Sequence, residues 1–273
     1  MARQEFRRGS DARERIVDAI VGSRVSTKSL PDRRHIKRYH EQYFAQEPYE
    51  DMAARTESIM DRAANDHLDF GKTRRKNHAL LRIINPTEAK NGYVSSYTFI
   101  EVVNDDMPFL VDSLLAGVGR HDLAVHMTVH PLLRVERDGR GRLKGIPAPS
   151  RNGGIKESWI RIAVDKETDP DALKALHEDL ARVLQDVRLA VSDWTPMRDK
   201  MIAATEELDA TKSGGAPELK KESAELLRWL VDDHFTFLGY REYRLAERRK
   251  RIYLRSVEGS GLGLLSSDMR GSK

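Results

Sequence analysis

Tyr97-Thr98-Phe99-Ile100-Glu101-Val102-Val103-Asn104-Asp105-Asp106-Met107-Pro108-Phe109-Leu110-Val111-Asp112-Ser113-Leu114-Leu115 is the stretch that decides the fold class. Tyr97 to Val103 is aromatic and β-branched around a single acid, the composition of a strand. Pro108 suits a first helical position, and acids just before it favour a helix start. The pattern therefore predicts a helix from Pro108 to about Arg120 with Leu110, Leu114, Leu115 and Val118 inward. Asp105 and Asp106 read as its caps, since a carboxylate accepts from the exposed N–H groups of a first turn.

Working downstream, Leu123, Val125, Met127 and Val129 alternate as a strand, and Leu133 and Val135 continue it past Pro131. Asp138-Gly139 and Gly141 mark a hairpin, with Leu143 and Ile146 on the return strand. Pro147 to Gly154 reads as a loop, and Ile160, Ile162 and Val164 give a fourth strand. Asp169-Pro170 opens a helix with Leu173, Leu176, Leu180, Val183 and Val187 on one stripe. With one further strand pairing, this order predicts an α+β fold. It would be a ferredoxin-like βαββαβ sandwich with helices on one face of an antiparallel sheet.

Upstream, three short amphipathic helices are expected. They are Asp11 to Val21, Asp32 to Ala45 behind Pro31, and one restarting at Pro48 that carries Met52, Ile59, Met60 and Leu68. Leu80 to Ile84 reads as a strand or a buried connector, and Asn91-Gly92 as a turn. Beyond the sandwich, Thr195-Pro196 and Pro217 open two more helices, with Gly214-Gly215 between them. Phe235 to Leu245 and Ile252 to Val257 follow as paired strands. No helix follows to cover that pair, so it packs on the earlier block or the polypeptide continues past Lys273. The expected domains are 1–92 (helical), 93–194 (sandwich), 195–234 (helical connector) and 235–273 (start of a second module).

The chain of 273 residues carries 33% charged residues, against ~25% in typical globular chains, and 39% hydrophobic ones. It can build a core under a heavily charged surface. No apolar run approaches the ~18 residues of a membrane helix, and Met1 to Ser10 leads into no apolar signal segment. The absence of cysteine excludes disulfide frameworks, thiolate metal sites and cysteine nucleophiles, and fits a cytoplasmic location. Lys plus Arg number 47 against 43 acids, so the charges nearly balance. The basic runs Arg33–Arg38, Lys72–Lys76 and Arg248–Arg251 read as solvated faces, and nucleic acid is not an expected partner.

Candidate chemistry is sparse. His126 and His130 lie on alternating strand residues, roughly 13 Å apart, too far to share a metal ion. Asp105, Asp106 and Asp112 surround the strand-to-helix turn, where capping accounts for the first two. Gly259, Gly261 and Gly263 lack the dinucleotide spacing G-x-G-x-x-G and have no helix behind them. Neither a P-loop nor a G-x-S-x-G elbow is present. Taken alone, the residues describe a ligand- or partner-binding module.

Several stretches carry a more specific signal. Asn104-Asp105-Asp106-Met107-Pro108-Phe109-Leu110-Val111-Asp112-Ser113 resembles a signature of the large-subunit, NAD-specific glutamate dehydrogenases of bacteria. Leu227-Arg228-Trp229-Leu230, continuing through Asp232-Asp233-His234-Phe235-Thr236-Phe237-Leu238-Gly239-Tyr240-Arg241-Glu242-Tyr243, resembles a second, and Gly259-Ser260-Gly261-Leu262-Gly263 a third. The similarity runs from about residue 30 to the end, in the family's order.

The resemblance implies the N-terminal ACT-like region of an enzyme that converts L-glutamate, NAD and water to 2-oxoglutarate, ammonia and NADH. The region would be regulatory or assembling and not itself catalytic. It would hold no cofactor, NAD belonging to the full-length enzyme. The partners implied are a downstream dehydrogenase core of the same polypeptide, further copies in a homo-oligomer, and a small amino-acid effector; no membrane is implied. Asn104, Asp105, Asp106, Met107, Phe109 and Asp112 are the candidate turn for an effector or an interface. Ligand-binding ACT domains carry glycine at this turn, whereas here Met107-Pro108-Phe109 stands there, and Phe109 is expected to fill the pocket. A free-standing amino-acid-binding module is the alternative.

Overall fold

A computed structural model describes residues 15–20, 30, 32–45, 47, 52, 55–148, 153–211, 216–248 and 251–266. The readings at Asp11, Val21, Pro31, Pro48, Gly214-Gly215 and Lys273 lie outside these residues. The chain divides into two compact units, Met1–Arg182 and Val183–Lys273.

The first unit is α+β. Residues 15–20 are helical. They are followed by α1 (Arg33–Tyr43), α2 (Glu57–Gly71), β1 (Leu80–Ile84), α3 (Glu88–Asn91), β2 (Thr98–Asp105), α4 (Leu110–Gly119), β3 (Val125–Val129), β4 (Leu132–Arg137), β5 (Leu143–Gly145), β6 (Ile155–Val164) and α5 (Pro170–Ser192), which crosses the unit boundary. The sheet runs β1-β2-β6-β4-β5, with β3 also on β6, and every pairing is antiparallel. β3 and β4 are one strand interrupted at Pro131. Both pair with β6, β3 at its Arg161–Val164 end and β4 at its Ile155–Ser158 end. The missing N–H of proline forces that break.

Three expectations change here. The additional strand is β1, placed beside β2 from the N-terminal side. Helices do not lie on one face alone. Tyr39, Tyr43, Met60, Ala64 and Leu68 of α1 and α2 share a core with Val103, Val129, Leu133, Val135 and Trp159 of the sheet. The opposite-face residues Ile100, Val102, Ile160 and Ile162 are buried too, so the strands read as near-continuous apolar runs. Finally, α4 starts at Leu110, after Pro108, with Phe109 as its cap residue and no side-chain cap bond. The capping logic holds at two of the other helices, but not at the helix read as opening at Thr195-Pro196, which starts at Trp194 with no side-chain cap bond. Asp32 accepts from the N–H groups of Arg34 and His35 ahead of α1, and Asp169 accepts from Asp171 ahead of α5.

The second unit holds the rest of α5, then α6 (Trp194–Ala210), α7 (Pro217–Trp229), a wider turn at Leu230–His234, and strands β7 (Gly239–Tyr240), β8 (Tyr243–Arg248), β9 (Arg251–Ser256) and β10 (Leu262–Gly263). β7 pairs with β10 and β8 with β9.

Trp159 is fully buried against α1 and α2, with Tyr39 at 5.9 Å and His67 at 5.1 Å between ring centroids. Its ring lies where a side chain at Gly71 would begin; a Cβ there would stand 2.1 Å from the indole. Gly71→Ala therefore forces helix and indole apart and should lower stability by about 1–3 kcal/mol. Urea unfolding followed by circular dichroism checks this, and a loss within error of zero contradicts the packing.

Candidate functional site

The candidate turn leaves the sheet at the end of β2. Asn104 is buried in register with Ser158 of β6. Asp105 is opposite Glu157, and two adjacent acids on one sheet face require a cation. Arg74 supplies it. Its side chain is fully buried, with Nη2 2.7 Å from both Asp105 Oδ1 and Glu157 Oε1. Asp105 also accepts from the Asn77 N–H at 3.2 Å. Arg137 holds Glu157 from the other side, Nε to Oε1 at 2.6 Å and Nη2 to Oε2 at 2.8 Å, and Trp159 Nε1 donates to Oε2 at 3.1 Å. Burial alone would lower the Arg74 pKa, but the Asp105 and Glu157 carboxylates raise it above its ordinary value. The Lys72–Lys76 run is thus not a simple solvated face, because its middle residue neutralises two inward acids.

Asp106 does not cap the helix. It accepts from the Ser158 hydroxyl at 2.9 Å. It also faces His130, whose pKa is pushed down by burial and raised in part by Asp106. His130 Nε2 is buried without a hydrogen-bond partner among the described residues. Met107 is half-buried. Phe109 is 47% exposed at φ 68° and fills no pocket, contrary to expectation. A non-glycine residue in the left-handed region stores of order 1–3 kcal/mol. Asp112 is exposed in the first turn of α4, where its charge suits the helix dipole. The turn therefore unites Asp105 and Asp106 with Arg74, Ser158 and His130 of other elements, and leaves Met107, Phe109 and Asp112 apart from that network.

A second ionic row crosses the same sheet face. Arg82 on β1, Glu101 on β2 and Arg161 on β6 are consecutive cross-strand neighbours. Glu101 is fully buried, receives Arg82 Nε at 2.6 Å and pairs with Arg161 Nη1. Arg161 also donates to the Tyr93 hydroxyl at 2.7 Å, and its guanidinium lies 3.9 Å from the centre of the Phe99 ring. Arg82 reaches Asp66 of α2 at 2.8 Å. Burial works to raise the Glu101 pKa, yet Arg161, His67 and Arg82 hold it below its ordinary value. Sequence reading missed this row and the partners of the turn. A signal was present, because Glu101, Glu157 and Arg161 interrupt otherwise apolar strands.

His126 is satisfied by Asp165 at 2.7 Å. Among the described residues no group of three or more His, Cys, Asp or Glu is placed to hold a metal ion, and no helix is long and apolar enough to cross a membrane. The glycine loop does not fit a dinucleotide pyrophosphate. The Gly263 N–H, a group that would cradle a phosphate, instead donates to the Asp193 carboxylate at 2.7 Å, and a Cβ at Gly261 would stand 2.0 Å from the Leu265 carbonyl oxygen. An anion there would meet Asp193.

His67 gives the interior a pH dependence. Its Nδ1 is hydrogen-bonded to the Tyr43 hydroxyl at 2.9 Å, and burial pushes its pKa from 6.5 down to about 4. Between those values the unfolded chain binds a proton that the folded chain refuses, so stability is full above 6.5 and falls as pH drops toward 4. The loss at pH about 4.5 should be roughly 2–3 kcal/mol. The Glu101 contribution is lost only below its ordinary value of 4.5, so a comparison of pH about 7.5 with pH about 4.5 mostly isolates the histidines. Urea midpoints at the two pH values read the effect. His67→Gln should flatten the difference, and an undiminished difference in that variant rules out His67 as the source.

Comparison with known proteins supplies the remaining finding. The family model described as glutamate dehydrogenase, ACT1 domain, matches residues 39–180. The chain is 37% identical to the NAD-specific glutamate dehydrogenase of Halomonas elongata over 229 residues, 83% of this chain and 14% of that protein. It is 35% identical to the NAD-specific glutamate dehydrogenase of Pseudomonas aeruginosa over 186 residues, 67% of this chain and 12% of that protein. The enzyme of the same name from Mycobacterium tuberculosis is 28% identical over 170 residues, 61% of this chain and 10% of that protein. The chain thus spans a small fraction of the length of the relatives it matches.

Proposed function

The chain belongs to the NAD-specific glutamate dehydrogenase family through its ACT1 domain, and we propose that it is the N-terminal regulatory and assembly segment of such an enzyme. The observation that carries this reading is that the matched residues, 39–180, lie within the first unit and end close to its own end at Arg182. The element order supports an ACT-like reading of residues 93–194. β2, α4, β3/β4, β6 and α5 follow the order of a βαββα core, and β1 takes the edge place beside β2 that a final strand would fill.

The inward acids Glu101 and Glu157 are held in ion pairs. They hold the sheet, its covering helix α2 and the Thr73–Arg142 bridge region in register, and serve no substrate. The conversion of L-glutamate and NAD to 2-oxoglutarate, ammonia and NADH is assigned to a downstream core of the same polypeptide. The segment acts on that core through contacts between domains and between subunits of a homo-oligomer. The β2–α4 turn is the place for a small amino-acid effector, where exposed Asp106 and His130 Nε2, unpartnered among the described residues, retain hydrogen-bonding capacity.

Residues 235–273 begin a second module. Leu245 is 76% exposed, Ile252 75% and Leu254 65%, an apolar surface that a two-stranded ribbon cannot cover by itself. Further polypeptide of the same enzyme is the cover. Cytoplasmic location follows from this metabolic role.

Isothermal titration of the 273-residue chain with NADH should show no saturable heat, and glutamate with NAD should give no growth of reduced-nicotinamide absorbance. Stoichiometric NADH binding would move the cofactor site into this segment and overturn the proposal.

A further inference from the structure

The β8–β9 ribbon has two unlike faces. Cross-strand partners share a face, and successive residues alternate. One face carries the pairs Tyr243–Ser256, Leu245–Leu254 and Glu247–Ile252. The other carries Arg244–Arg255, Ala246–Tyr253 and Arg248–Arg251. Arg244 and Arg255 thus sit directly opposite each other, an arrangement that destabilises a ladder, and none of these six positions is acidic. Arg249 and Lys250 join the strands in the sequence.

Arg244, Arg251, Arg255 and Tyr253 are exposed. The three arginines form no ion pair or hydrogen bond through their side chains among the described residues. The neighbouring acid Glu242 lies in the field of Arg244, but it is held by Lys200 at 2.8 Å and by the Tyr240 hydroxyl at 3.0 Å. At strand spacing the two arginine pairs lie about 13 Å apart along the ribbon, with Tyr253 about 7 Å from each neighbouring arginine position on its strand. Tyr253, opposite Ala246, is 43% exposed.

We propose that this face binds single-stranded nucleic acid. The arginines take backbone phosphates, and Tyr253 stacks a base between them, the combination of cationic track and aromatic platform that single strands require. An acidic protein segment would use the arginines but not the aromatic ring placed among them. The balance of 47 bases against 43 acids over the whole chain conceals this local segregation. The proposal does not depend on the dehydrogenase reading. If the apolar face is covered by further polypeptide, the basic face is the one left to solvent.

The test is fluorescence anisotropy of a labelled oligothymidylate of about ten nucleotides titrated with the full 273-residue chain. Saturable binding is expected at about 50 mM salt, weakening roughly 20- to 50-fold by about 200 mM as three or four phosphate contacts are screened. Replacing Arg244, Arg251 and Arg255 together by Gln should abolish it, and replacing them by Lys should retain most of it, with circular dichroism confirming that both variants fold. Tyr253→Leu should weaken binding about fivefold or more. No binding by the parent chain, or undiminished binding by the glutamine or the leucine variant, overturns the proposal. Polyglutamate displacing the probe as well as unlabelled oligothymidylate also overturns it, in favour of an acidic peptide partner.

Discussion

Glu101 cannot be buried alone. It sits at the centre of the sheet with no exposed surface, and the structure around it is arranged to neutralise it. β1 brings Arg82 to one side, β6 brings Arg161 to the other, and α2 closes the row through Asp66 and the Ala63 carbonyl. An ion pair of this kind gains little over a well-packed apolar pair, but removing one partner typically costs about 3–5 kcal/mol. Its value lies in specificity. A slip of β1 or β6 by one residue would move an arginine to the opposite sheet face and leave the carboxylate without its partner. The Arg74–Glu157–Arg137 cluster repeats the device at the turn end of the same face. The two networks tie together β1, β2, β4 and β6 and the seat of α2, and thereby the position of the β2–α4 turn.

The parts of this architecture that follow local rules were legible. Alternation exposed β3 and β4, Asp169-Pro170 announced α5, and Pro131 marked the break between two halves of one strand. What could not be read was non-local. Arg161 and Glu101 lie 60 residues apart, and Arg74 and Glu157 lie 83 apart, so their pairing appears only once the register is known. Gly71 carries no turn signal, because its role is to admit the Trp159 indole from another element. The turn itself misled for a related reason. Asp105 and Asp106 have the composition of helix caps, but Arg74 and the Ser158 hydroxyl, reaching from distant segments, compete for the same carboxylates. The helix is left to begin after Phe109 in a strained conformation.

These networks also bear on function. Their inward acids are held by arginines, with hydrogen-bonding capacity left at the rim of the turn, in Asp106 and His130. The match to the glutamate dehydrogenase ACT1 domain lies within this unit, and the chain covers a small share of its relatives' length. The second unit carries a ribbon with an apolar face on one side and a basic one on the other.

The most direct measurement is immunoprecipitation from native cell extract with an antibody raised against the first unit, followed by sizing of the captured polypeptide and assay of the precipitate for glutamate-dependent NAD reduction. The account predicts a polypeptide several times heavier than 31.1 kDa that carries the activity. A captured polypeptide of 31.1 kDa without activity would contradict it.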